Sequence, residues 1–243
     1  MDLRTIEAMP AVGNRSPDTD DLSIWRSSLE PLAIPGFPGR LVVVAPHPDD
    51  ETLGAGALMH DLGLLGWDVR VVVVSDGAAS HVGARDLAAV RSCEVAEACE
   101  RLGLARPPVL LSYPDGQLEM HCDALVKDLR VELNGCDVVV APRLGDGHSD
   151  HEATATAVEA ALSYGAGRTP ALWSYAIWAW DRFDTAAEDF RGATLYRGSP
   201  GAVVAKVAAI DAYRSQTTAM YGPVILSEAT LRRFTQGCEV FWC

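Results

Sequence analysis

The 243-residue sequence predicts a single-domain, Rossmann-like α/β fold, a doubly wound and mostly parallel sheet with helices on both faces. Three observations carry that expectation. The runs Leu41–Ala45, Val69–Val74 and Asp137–Ala141 are almost continuously apolar and β-branched, as in strands covered on both sides. Between them, apolar residues recur at three- and four-residue steps over about Thr52–Leu65, Asp86–Leu102 and Cys122–Leu133, which is helical spacing. Polar residues follow each run at once, and ligands bind such sheets beyond the carboxyl ends of the strands.

In chain order, residues 1–37 are rich in Pro, Gly and Asn and read as an N-terminal extension. It contains one short helix over Asp21–Leu32, capped by Asp20 or Asp21, and the domain follows over residues 38–243. The first strand leads into Pro46-His47-Pro48-Asp49-Asp50-Glu51, and the helix after it carries Gly54 and Gly56, where backbone can approach a neighbour closely. The second strand ends in Ser75-Asp76-Gly77. The third ends in the long polar stretch Pro142 to His151, so segments roughly a hundred residues apart share one rim. In the carboxyl third, Ala171–Trp180 reads as a strand and Val203–Gln216 as a helix.

The composition excludes several partners. A net charge of −13 and a pI near 4.8 oppose a polyanion-binding surface, so no nucleic acid is expected. No apolar run approaches the roughly 18 residues of a membrane helix, and the first residues lack the basic-then-apolar order of a secretory signal. A cytoplasmic location without membrane contact is therefore expected. The six cysteines show no C-x-x-C spacing and read as reduced structural thiols.

The polar clusters carry the chemistry. His47 and Asp50 sit three apart at a strand-to-helix junction, where an imidazole and a carboxylate can meet one ion, and His151 completes a three-ligand set. Three protein ligands leave a position open for water, and a His/Asp/His set suits one Zn2+, with Fe2+ or Co2+ also accommodated. Asp49, pointing differently from the same turn, is the candidate general base. Glu51 would orient His47 or favour the helix start. His148, three residues before His151, would stabilise an oxyanion as a protonated imidazole, with Asp150 holding its ring and raising its pKa.

These residues resemble the LmbE-like, or PIG-L, N-acetylglucosaminyl deacetylases. That family carries A-H-P-D-D-E after the first strand and H-P-D-H about a hundred residues on. Here stand Ala45-Pro46-His47-Pro48-Asp49-Asp50-Glu51 and His148-Ser149-Asp150-His151, which differ by an extra Pro46 and by Ser149 in place of proline. The resemblance implies that His47, Asp50 and His151 bind zinc, that Asp49 is the base, and that His148 is the charged stabiliser with Asp150 behind it. Weaker likenesses run to the end of the chain: Ser75-Asp76-Gly77, Arg91-x-x-Glu94, Tyr113-Pro114-Asp115-Gly116, and Lys206 with Ser215-Gln216. In family terms Arg91 and Asp115 face the substrate, although Arg91 could instead pair with Glu94 one helical turn away.

His81 lies near the rim and is a further candidate for substrate contact. Trp178 and Trp180 could line a sugar pocket, whereas His60 and His121 read as solvent-facing. The implied activity is removal of an acetyl or other acyl group from the nitrogen of a small amino-sugar substrate by metal-activated water. Three rivals stand beside it: an amidase of the same family acting on thiol-sugar conjugates, an inactive metal-binding scaffold, and a nucleotide-binding module. The last is opposed by Met59 at the third glycine position and by the carboxylates of residues 47–51 where a pyrophosphate would lie.

Overall fold

The computed structural model describes residues 29–164, 169–181 and 190–243. Eight strands form one sheet: β1 (Glu30–Pro31), β2 (Arg40–Ala45), β3 (Asp68–Ser75), β4 (Val109–Tyr113), β5 (Val138–Pro142), β6 (Ala171–Tyr175), β7 (Ala193–Arg197) and β8 (Cys238–Trp242), in the order β1-β7-β8-β6-β5-β2-β3-β4. All pairings are parallel except those of β8, which runs antiparallel between β6 and β7. The expected doubly wound, mostly parallel α/β sheet is the observed one.

Strand alternation divides the core into two layers. Leu41, Val43 and Ala45 pack on one face with helices α1 (Asp50–Leu64), α2 (Leu87–Arg101) and α5 (Pro200–Ile210). Val42 and Val44 pack on the other with α3 (Cys122–Glu132) and α4 (Ser149–Ser163). All five residues of β2 from Leu41 to Ala45 are 0 % exposed, which is why this strand reads as an unbroken apolar run and why it lies at the sheet centre. Two short helices, α6 (Arg214–Thr217) and α7 (Glu228–Phe234), complete the carboxyl third. Among the described residues no helix is long and apolar enough to cross a membrane, and all six cysteines are free.

Several local expectations are corrected. The helix expected over Asp21–Leu32 has its described end in extended form, with Glu30 and Pro31 pairing in parallel with Thr194 and Leu195; residues 21–28 lie outside the described residues. Ala171–Trp180 is not one strand. It stops at Tyr175, where Asp146 captures the following backbone N–H groups, and a 3-10 turn covers Ala179–Asp181. The helix expected over Val203–Gln216 starts earlier, at Pro200 with Ser199 as N-cap, and breaks after Ile210.

Helix α1 contains an irregularity that bears on the site. Ala55 leaves helical geometry at φ −142° and ψ 16°, which breaks the backbone ladder across Gly54-Ala55-Gly56. The orphaned groups are taken over by side chains from the carboxyl third. Glu239 of β8 accepts from Ala57 N at 2.7 Å and from Leu58 N at 2.9 Å, and Lys206 of α5 donates to Leu53 O at 2.7 Å. Lys206 Nζ and Glu239 Oε1 are themselves 2.7 Å apart in a buried ion pair. The two glycines fit this arrangement, since a Cβ at Gly54 would stand 2.6 Å from the Tyr175 ring and one at Gly56 would stand 3.1 Å from Lys206 Cγ.

Candidate functional site

The loops after β2, β3, β4, β5 and β6 converge on the expected rim. Their centre is the turn that joins β2 to α1. Asp49 there has φ 132°, a conformation rare outside glycine, held by Thr52 and Leu53 N–H groups on its carbonyl and by its own N–H on Glu51 Oε2. The consequence is directional. Asp49 turns toward Arg91, while Asp50, the first residue of α1, turns toward His47 and His151.

Asp50 Oδ2 stands 3.1 Å from His47 Nδ1 and 3.2 Å from His151 Nε2. These separations are close to the roughly 3.3 Å edge of a tetrahedron whose bonds are about 2.0–2.1 Å long, the dimensions of a zinc site. His151 is fully buried, and neither of its nitrogens meets a partner in hydrogen-bonding direction, so Nε2 is an orphaned buried atom 3.2 Å from Asp50 Oδ2. A borderline-hard cation fits this donor set. Two other groupings share His47, one with His148 and His151 and one with Asp115 and Asp150. In those, His148 Nδ1 already accepts from Asp150 N, Asp150 accepts from Gly116 N and Leu118 N, and Asp115 accepts from Ala79 N. His47 and His151 also flank Asp50 Oδ2, which accepts from His47 N at 3.0 Å, so His47, Asp50 and His151 are candidate ligands beside these two groupings.

The electrostatics agree. Burial works to lower the pKa of His47, but the carboxylates of Asp115, Asp150 and Asp50 raise it well above its ordinary value. Burial likewise works against His151, yet the charge of Asp50 and the carboxylate of Asp146 hold it at about 9. Asp50 is held far below the usual carboxylate range by the same two rings, against its own burial. Acidic groups this closely packed favour positive charge at the centre, whether a proton or a dication.

Asp49 is pushed up to about 8, chiefly by burial and against the pull of Arg91. Arg91 lies under it: NH2 donates to Asp49 Oδ2 at 2.9 Å and to Pro48 O at 2.5 Å, and NH1 donates to Gly77 O at 2.9 Å. A Cβ at Gly77 would meet the guanidinium at 2.6–2.8 Å, so glycine is needed for this approach. Arg91 thus pairs with Asp49 instead of with Glu94, whose carboxylate binds Ser215 N and Oγ.

Two further expectations are corrected, and the two alternatives for Glu51 narrow to one. The Asp150 carboxylate does not hold the His148 ring, and its upward pull on the ring's pKa is outweighed. His148 is the N-cap of α4 and its Nδ1 accepts from Asp150 N, so a neutral ring carries its proton on Nε2; burial, then the charges of His47 and His151, lower its pKa. The Asp150 carboxylate turns instead to Gly116 N, Leu118 N and, at 3.2 Å, His47 Nε2. Glu51 does not orient His47. It accepts from Asp49 N, Thr52 Oγ1 and Tyr213 OH and secures the helix start. His81 turns away from the cavity, with Nε2 3.0 Å from Pro223 O and its ring beside Tyr221.

Asp115 does reach the centre, with Oδ1 3.2 Å from His47 Nε2, and Asp76 Oδ1 braces its backbone N–H. Of the tryptophans, Trp178 lies along His148 at 6.5 Å between ring centroids and 25° between planes, whereas Trp180 packs on Phe190 and Trp242. His60 and His121 are both half-buried, His60 Nδ1 lying against Leu102 O and the His121 ring against Tyr113, and neither is at the site. Asp146 was not singled out by sequence. It is fully buried, its Oδ2 lies 2.8 Å from His151 Nδ1, and it accepts from Ile177, Trp178 and Ala179 N–H. Its one sequence signal is an acid between Gly145 and Gly147 shortly after a buried strand, which reads equally as a turn.

A cavity of about 280 Å3 opens over this centre. His47, Asp49, Asp50, Arg91, Asp115 and His148 form its polar side; Leu53, Ile177, Trp178, Ile225 and Leu226 form an apolar wall. Its volume is at the low end of the roughly 300–1,000 Å3 typical of ligand pockets, which suits a small molecule.

Residues 42–162 match the family model described as PIG-L, GlcNAc-PI de-N-acetylase. Among solved structures, the conserved protein TT1542 from Thermus thermophilus is 28% identical, with 84% of this chain and 93% of that chain covered and a TM-score of 0.62. The A40926 pseudoaglycone deacetylase Dbv21 is 22% identical, with 84% and 96% covered and a TM-score of 0.66. The N,N'-diacetylchitobiose deacetylase from Pyrococcus horikoshii is 22% identical, with 82% and 76% covered and a TM-score of 0.58. At these identities the two deacetylases establish the shared fold.

Proposed function

Because the chain belongs to the PIG-L family through residues 42–162, we propose that it is a metal-dependent amide hydrolase that removes an acetyl or other short acyl group from the nitrogen of an amino sugar. The observation that carries this reading is the placement of Asp50 Oδ2 against one ring nitrogen each of His47 and His151, at the floor of a cavity that also holds Asp49 and His148. His47, Asp50 and His151 would hold one Zn2+, or Fe2+ or Co2+ in its place. Such an ion supplies Lewis acidity toward an amide carbonyl and makes water more acidic.

The remaining roles follow from the chain's own residues. Asp49 keeps one carboxylate oxygen on Arg91 and takes the proton of the attacking water. The Arg91 guanidinium holds that carboxylate in place across the strained turn. His148, whose Nδ1 is engaged at the helix start, offers its Nε2–H as a hydrogen bond to the developing oxyanion, and Asp49 passes the proton it took from water to the departing amine. A proton on Nε2 suffices for this, so the ring acts without first becoming cationic. The apolar wall with Trp178 suits the less polar face of a sugar ring, and Asp115 lies where a hydroxyl would reach it.

The test is metal content of the purified protein together with amine release from a panel of N-acetylglucosamine derivatives, before and after chelation. About one ion per chain and chelator-sensitive release are expected. Absence of metal after growth in its presence would overturn the reading.

A further inference from the structure

We propose that Asp146 is a positioning residue that couples His151 to the wall of the sugar cavity, so that one carboxylate governs both ion binding and the shape of the substrate site. The proposal rests on the reading of His151 as a metal ligand.

The segment after β6 is irregular until the 3-10 turn at Ala179, so its N–H groups have no ladder or helix to join. Asp146 supplies what they lack. Its Oδ1 accepts from Ile177 N at 2.9 Å and Ala179 N at 3.0 Å, and its Oδ2 accepts from Trp178 N at 3.2 Å. Three successive backbone donors wrap one anion. Of these residues, Ile177 and Trp178 are cavity wall, and Trp178 lies along His148.

The same Oδ2 is 2.8 Å from His151 Nδ1, in a contact held by charge more than by hydrogen-bond direction. A carboxylate on Nδ1 favours the proton there and leaves the lone pair of Nε2 for an ion, which both selects the tautomer and increases ligand basicity. Asp146 and His151 are both 0 % exposed, so no water competes for either side of this link. The wall and the ligand are therefore fastened to one rigid group, with Oδ2 shared between Trp178 N and His151 Nδ1. Fixing the ring on binding an ion should restrain the carboxylate, and through it the three amides.

The experiment pairs two measurements. Zn2+ affinity is measured by competition with a chromophoric chelator for the wild type and for Asp146→Asn, which retains the shape but loses the charge. Amide hydrogen exchange at Ile177, Trp178 and Ala179 is followed in both proteins with and without Zn2+. The variant is expected to bind Zn2+ about 10–100-fold more weakly. In the wild type Zn2+ should slow exchange at the three amides, and in the variant that dependence should vanish. A variant that had merely loosened the fold would exchange faster with and without the ion alike, which would overturn the coupling, as would a variant affinity within about threefold of wild type. If Asp146→Asn fails to fold, the wild-type exchange comparison decides alone: no effect of Zn2+ at the three amides overturns the proposal. Failure of the wild type itself to take up Zn2+ would remove the metal reading, and with it this one, whereas normal uptake without the exchange response would remove only the coupling.

Discussion

Asp49 combines an unusual backbone with a buried charge, and both can be tested by substitution. Its positive φ separates the two adjacent aspartates, sending one to Arg91 and the other to the histidines. Asp49→Ala should leave metal content near normal and lower turnover by about 10²–10⁴-fold, the usual contribution of a general base. Loss of metal with activity would show that base and ligand have been interchanged. Gly77→Ala tests the support beneath. A Cβ there would press on Arg91 from 2.6 Å at a φ of +65°, so about 1–3 kcal/mol of stability should be lost in urea unfolding, with turnover reduced as the grip on Asp49 loosens. Sequence spacing was enough to gather His47, Asp49, Asp50, His148 and His151. It misassigned the partner of Asp150 and left those of Glu51 and Arg91 open, because which way a side chain leaves a turn depends on φ angles and helix caps that spacing does not encode.

At the level of elements, the strands read correctly were those buried on both faces. β2, β3 and β5 are almost continuously apolar, whereas β4 alternates between half-buried and exposed residues and β7 and β8 lie toward the other edge. Helix α4 escaped notice because Ser149–Ser163 is mostly Ala, Thr and acid, with little contrast between its faces. Two contacts show how the helices are fastened. Asp61 near the end of α1 accepts from Ser199 N at 2.8 Å, Ser199 Oγ at 2.6 Å and Tyr196 OH at 2.7 Å, and these bonds hold its pKa below the ordinary value against partial burial. A depressed folded-state pKa means stability that is present above the unfolded value of about 3.9 and is lost as pH falls through the folded value. Asp61→Asn should therefore lower the urea midpoint at pH 7, and the gap from wild type should narrow toward pH 3. Within the α1 break, Lys206→Met leaves Glu239 as an unpaired buried charge and should cost about 3–5 kcal/mol.

For the molecule as a whole, four acids (Asp50, Asp115, Asp146 and Asp150) lie against His47 or His151, with Asp49 and Glu51 buried beside them, in a chain of net charge −13. A dication held there, as proposed, would be bound by the folded state and not by the unfolded chain. Thermal stability should therefore rise with Zn2+ concentration, by about 2.7 kcal/mol at a hundredfold excess over Kd, and fall on chelation; a melting temperature indifferent to both would count against the centre. Sheet closure depends on the far end of the chain, since β8 alone joins β6 to β7. Truncation before Cys238 should abolish cooperative unfolding, as followed by circular dichroism.

The break in α1 has a consequence for how this protein can be divided. The segment that carries the recognisable motifs, residues 42–162, ends well before Lys206 and Glu239, yet those two side chains complete the backbone of its first helix. Transplanted without them, the segment would keep its chemical side chains and lose the dry partners of Leu53, Ala57 and Leu58, within about two turns of Asp50. The boundary drawn by similarity is therefore not one along which the molecule can be cut, and a chimaera that borrows the motif half must borrow α5 and β8 with it.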